Sequence, residues 1–128
     1  MKIILFIVAI LLGVILLPIG LLYSLLYRIF FKSRSGSTVS DYFYTCAFAL
    51  DQVGNVFCSD VFNSTLIHLS ASTPFGDADQ TISAVLGYAP PEKSLKSAGD
   101  LIANLLDSID PDHCKKAMIA DINSNNCL

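Results

Sequence analysis

The sequence predicts an all-α protein: an N-terminal transmembrane helix followed by a small helical domain of about four helices. Three observations carry that expectation. Residues 3–26 contain no charged side chain, apolar positions further on recur at three- and four-residue steps, and no pair of alternating segments joined by a tight turn marks a β-hairpin. Of 128 residues, 53% are hydrophobic, and the excess is concentrated at the N-terminus. What remains suffices for one small domain and is too short for a large enzyme core.

The anchor comes first. A helix rising 1.5 Å per residue needs about 20 apolar residues to cross ~30 Å of hydrocarbon. Eighteen of the positions 3–26 are Leu, Ile, Val or Phe; at roughly 0.3–0.6 kcal/mol each they favour insertion by on the order of 7 kcal/mol, outweighing Pro18, Gly13 and Gly20. A secretory signal would have a shorter apolar region, about 7–15 residues, ending in a small-x-small cleavage site; this run is longer and passes into Leu26-Tyr27-Arg28. Pro18 removes a backbone hydrogen bond mid-span, and the two glycines lack the i, i+4 spacing of a close-packed dimer seam.

Tyr23 and Tyr27 suit an interfacial aromatic belt, and Arg28, Lys32 and Arg34 form a basic collar that closes an anchor region over residues 1–32. Only Lys2 and the terminal amine flank the other end. The positive-inside rule thus favours a cytoplasmic C-terminal domain. No acid precedes Asp41; from it onward, eleven acids against four bases leave a formal charge of about −7. Such a domain repels phosphate backbones, which disfavours nucleic acid as a partner.

Residues 33–40 (SRSGSTVS) read as a short polar linker, and residues 41–122 as the helical domain. Ser40 can cap a helix over 41–62 whose apolar positions are Phe43, Ala47, Leu50, Val53, Phe57 and Val61. Tyr42, Tyr44, Cys46, Phe48, Val56, Cys58 and Phe62 add apolar surface all round, a pattern that suits a helix buried among others, lying on a membrane interface, or packed in an oligomer. Residues 70–75 form a loop broken by Pro74. Asp77 or Asp79 can cap a short helix through Ile82, Val85 and Leu86 that stops at Gly87, and Ala89-Pro90-Pro91 forces an extended turn. Ser94 can open an amphipathic helix with Leu95, Ala98, Leu101 or Ile102, Leu105 and Ile109 inward, and Lys96, Asp100 and Asp107 outward. Asp110-Pro111 reads as an N-cap followed by proline at the first helical position, opening a last helix through Ile122. Residues 123–128 read as a frayed tail.

Chemistry-bearing side chains are densest at Asp110-Pro111-Asp112-His113-Cys114. Neighbours on a helix point about 100° apart, so His113 and Cys114 do not readily share a metal or a proton, and zinc ligands are spaced two to four apart. A structural role, cap plus packing, is the simpler expectation. Asp77 and Asp79 sit two apart in a loop, a geometry open to a divalent cation but lacking the further acids of a calcium loop; helix capping by Asp77, Asp79 or Thr81 explains them. No phosphate loop, nucleotide fingerprint or serine elbow is present. Cys46, Cys58, Cys114 and Cys127 permit three pairings in an oxidising compartment and should be thiols in the cytoplasm. On one intact helix Cys46 and Cys58 would stand about 18 Å apart, too far to bridge. Asn63-Ser64-Thr65 fits a glycosylation acceptor by chance as readily as by purpose.

Two stretches, residues 76–83 (GDADQTIS) and 106–114 (LDSIDPDHC), together with Leu50, Asp51, Gln52 and Asn55, resemble a group of small uncharacterised proteins of tailed bacteriophages and prophages. That group carries a G-D-x-D-E-T-I-S box, matched by Asp77, Asp79, Thr81 and Ser83, and a D-x-x-D-P-x-H-C box, matched by Asp110, His113 and Cys114. The resemblance covers roughly residues 50–116 and implies a phage or prophage origin and a bacterial inner membrane for the anchor; it implies no activity. Gln80 replaces the group's usual Glu, which favours a structural box over a catalytic one.

The expectation is therefore a non-enzymatic, membrane-anchored phage or prophage accessory protein without a cofactor. It would act through contacts with another protein or with itself at the inner membrane, in lysis or envelope modulation. The alternative is a membrane-tethered metal-dependent enzyme using Asp77, Asp79, His113 and Cys114.

Overall fold

The computed structural model describes residues 1–30, 38–68, 70–88 and 94–125, the last without its side chain. Among them every regular element is a helix: α1 (Lys2–Phe30), α2 (Val39–Phe57), α3 (Ser59–Thr65), α4 (Ile82–Tyr88), α5 (Ser97–Ile109) and α6 (His113–Asn125). The chain divides into two compact units, Met1–Thr45 and Cys46–Leu128, with the division falling inside α2. The first part of the expected linker, Lys32, Arg34, the Ala89-Pro90-Pro91 turn and Cys127 lie outside the described residues.

In the first unit α1 runs unbroken through Pro18 and buries none of its residues. It is long and apolar enough to cross a membrane, and it continues past Leu26 so that Tyr23 and Tyr27 stack one turn apart, centroids 6.2 Å distant. The Arg28 guanidinium lies 4.8 Å from the centre of the Tyr42 ring, a cation–π contact at the start of α2. The cap of α2 is Thr38, two residues before the expected Ser40. Asp41 N–H donates to Thr38 Oγ1 (3.1 Å), while Thr38 N–H and its hydroxyl donate to Asp41 Oδ2 (2.6 and 2.8 Å). This reciprocal capping box holds the Asp41 carboxyl below the usual carboxylate range, chiefly through the Thr38 backbone bond.

In the second unit the helix expected over 41–62 is two helices, interrupted at Cys58 (φ −102°, ψ 10°). The core is Leu66, Ile67, Phe75, Val85, Leu86 and Cys114, flanked by Phe62, Leu95, Ile102 and Leu106. Helix α4 lies at its centre, buried from Ser83 to Leu86 and packed against α5 and α6. Leu66 to His68 pair with Ser94 to Lys96 in a single antiparallel bridge, His68 N–H donating to Ser94 O and Lys96 N–H to Leu66 O, both at 2.8 Å. Ser94 therefore serves this bridge, and α5 begins three residues later. Asn63 spends both halves of its amide on the backbone of Phe75 (3.0 and 2.8 Å), so in the folded chain that side chain belongs to the loop.

Two faces turn out differently from expectation. On α5 the buried flank is Gly99, Ile102, Ala103 and Leu106, whereas Leu101, Leu105 and Ile109 are 70%, 60% and 77% exposed. The apolar arc is wider than the contact it makes. On α2 the apolar stripe is present but faces out: Phe43, Leu50, Val53 and Phe57, continued by Val61 of α3, are 50–69% exposed, while Asp51, Gln52 and Asn55 face the rest of the unit. Asp110 is the C-cap of α5 rather than the N-cap of α6; Asp112, at φ 59°, turns the chain and α6 opens at His113. Helix α6 extends through Asn125, beyond the expected fraying point.

Candidate functional site

Helix α2 grips the GDADQTIS segment with three polar side chains. Asn55, fully buried, donates through Nδ2 to the carbonyls of Asp77 (2.9 Å) and Gln80 (2.8 Å) and accepts from Gly76 N–H (3.0 Å). Gln52 donates to the Asp79 carbonyl (3.0 Å), and Asp51 Oδ2 accepts from the Ser83 hydroxyl (2.9 Å). Gly76 has φ 124°, a conformation that a side chain would strain. Asp77 Oδ1 accepts from Asp79 N–H (3.0 Å), an Asx turn. Thr81 Oγ1 accepts from Ala84 N–H (3.0 Å), so Thr81 is the residue that caps α4. Gln80 Nε2 donates to Asp121 Oδ2 (3.0 Å); a glutamate in its place would set one carboxylate against another. The Tyr88 hydroxyl donates to the same Asp121 oxygen (2.7 Å), and burial with that bond pushes its pKa up to about 12. The buried Asp121 thus receives two donors, as a carboxylate out of water requires.

The second box is built the same way. Asp110 joins Lys116 (2.8 Å) and His113 Nδ1 (3.1 Å), which together hold its carboxyl below the usual range. Asp107, expected to point outward, accepts from Cys114 N–H (3.2 Å) and so supplies the missing cap of α6. Cys114 is in the core, where burial and then the charges of Asp107 and Asp51 raise its thiol to about 11. At neutral pH it is a protonated thiol, a weak nucleophile and a weak ligand.

The structure brings Asp77, Asp79, Thr81 and Ser83 into one hydrogen-bonded segment, and Asp110 and His113 into contact in a second cluster. It separates His113, beside Asp110, from Cys114, which packs inward. Among the described residues no three His, Cys, Asp or Glu side chains form a set that could hold a metal ion. Of the cations that flank the apolar run, Lys2 opens α1 and Arg28 stands in its last turn. A recess of about 90 Å³ lies between Phe48, Asp79, Thr81, Ala117 and Asp121, well below the ~300 Å³ at which small-molecule sites begin.

Asp121 and Tyr88 carry no spacing signal in the sequence. Asn55 does carry one: a poor helix former inside an apolar helical run usually has a backbone partner elsewhere. No protein-family model, curated protein or solved structure matches this chain.

Proposed function

We propose that this chain is a non-enzymatic, single-pass accessory protein of phage or prophage origin, held in the bacterial inner membrane and acting there through protein contacts in lysis or envelope modulation. The observation that carries this reading is the outward half of the α5 apolar arc, Leu101, Leu105 and Ile109. Large contiguous apolar surface on a small domain marks an interaction site. Two further points support it. The polar residues that a catalytic reading would enlist are already bonded within the fold, and the observed recess is too small for a substrate. Arg28, Lys32 and Arg34 against Lys2 favour a cytoplasmic domain. The phage origin rests on the two sequence boxes.

The test is expression of the full chain in bacteria, as wild type and as Leu105→Glu, with growth and membrane potential followed over time. A parallel culture carries a photo-crosslinking residue at position 101. The wild-type chain is expected to impair growth and to crosslink through position 101. Leu105→Glu, with unchanged helicity, is expected to lose at least about tenfold of the effect, as a charge buried in an interface costs 2–5 kcal/mol. Undiminished toxicity of Leu105→Glu, or no effect of either chain together with no crosslink, would contradict the proposal.

A further inference from the structure

Helix α2 is amphipathic in the opposite sense from an ordinary surface helix. Its polar side chains Asp51, Gln52 and Asn55 are spent on the GDADQTIS segment, and its apolar stripe points away. Asn55 and Phe57 project about 160° apart on the helix, so the same hydrogen bonds that lock α2 in place also fix the stripe outward. Phe43, Leu50, Val53 and Phe57 form this stripe along α2, and the exposed Asp60, beside Val61 on α3, marks its C-terminal limit. Asp41, the acid at its N-terminal end, is turned into the cap.

We infer that this stripe lies on the lipid surface, so that α2 is an in-plane interfacial helix joined to the transmembrane one. The observations that select lipid over a protein partner are positional. Arg28, in the last turn of α1, belongs at headgroup depth, and its guanidinium lies 4.8 Å from the Tyr42 ring, placing the first turn of α2 at that depth. Between Phe30 and Val39 the chain can extend at most about 30 Å, so α2 is held close to the bilayer whatever path the chain takes. Five of its nineteen residues are aromatic: Tyr42 and Tyr44 are of the type enriched at headgroup level, and Phe43, Phe48 and Phe57 are of the type that the apolar face of an interfacial helix carries. Such a helix buries its apolar face about 5–10 Å into the headgroup boundary. The acidic remainder of the domain would then face water, and the α5 face would remain available for protein contact.

The inference rests on α1 being inserted, and the test separates the two. The protein contains no tryptophan, so single replacements report their own depth. Full-length Phe43→Trp and Phe57→Trp would be reconstituted into phosphatidylcholine vesicles with and without bromine-labelled acyl chains. Ile10→Trp serves as the reference for α1, and Lys115→Trp, exposed on α6, as the aqueous reference. Bromine should quench Ile10→Trp, Phe43→Trp and Phe57→Trp at least about twofold, with blue-shifted emission, and leave Lys115→Trp unchanged. Leu50→Trp repeats the measurement should Phe57→Trp lose helicity. Quenching of Ile10→Trp with none at positions 43, 50 and 57 would overturn the in-plane helix and leave the anchor standing. Blue-shifted but unquenched emission at those positions would mean that another protein copy covers the stripe, and overturns it equally. An unquenched Ile10→Trp would overturn both.

Discussion

Replacing Asn55 by alanine is expected to destabilise the helical domain by about 3–5 kcal/mol, because it strips partners from three backbone groups at once, each costing roughly 1–3 kcal/mol when left unsatisfied in a buried site. The carbonyls of Asp77 and Gln80 and the N–H of Gly76 all depend on this one side chain. Small domains hold only about 5–15 kcal/mol in total, so the loss should be visible as a large drop in the urea midpoint of the full chain in detergent. Far-UV circular dichroism follows it well, since α1 stays helical in the micelle. Asn55→Asp should be no milder: it keeps the acceptor for Gly76 but presents a charge to two carbonyls. A midpoint within error of wild type would show that the GDADQTIS segment does not depend on α2.

Gly87→Ala is expected to cost about 3 kcal/mol or more, the range of overpacking that backbone must absorb. A methyl at Gly87 would collide with the Cys114 carbonyl oxygen, come within 2.8 Å of its carbon and meet Met118 Cβ at 3.0 Å. The obstructing atoms are mostly the main chain of α6, which cannot rotate aside as a side chain would. Gly20→Ala is the matched control, with nothing within 4 Å of the added methyl, and should leave the domain unchanged in the same urea titration. Equal midpoints for the two variants would mean that α4 and α6 are not in the close contact described.

Much of the helical layout is legible: the uncharged apolar run locates α1, three- and four-residue steps locate α2 with α3, and α5, and capping residues and breakers locate α4 and α6 to within a few residues. The direction of each face is not. Leu101 and Ile102 both belong to the apolar arc of α5, and only the position of α4 and α6 decides that Ile102 packs inward while Leu101 does not. For α2 the spacing locates the stripe but leaves its orientation open, since the residues that decide it, Asp51, Gln52 and Asn55, bind backbone groups more than twenty positions away. The break at Cys58 has neither proline nor glycine to announce it. Thr38-Val39-Ser40-Asp41 does contain the capping-box spacing, and Ser40 as the cap overlooks the partner three residues on from Thr38. Asp110-Pro111 has the form of a helix start, but the same Asp110 first ends α5, and Asp112 makes the turn instead. Residue types that invite a catalytic reading, such as Asp77, Thr81 and Cys114, are in the fold caps, turns and packing.

The central claim is that an uncleaved α1 anchors this helical domain in a membrane. Alkaline carbonate extraction of membranes from expressing cells, followed by intact mass of the recovered protein, tests it most directly. A carbonate-resistant chain of the full 13.9 kDa is the predicted result; a shorter chain lacking residues 1–26, released into the carbonate supernatant, would contradict it.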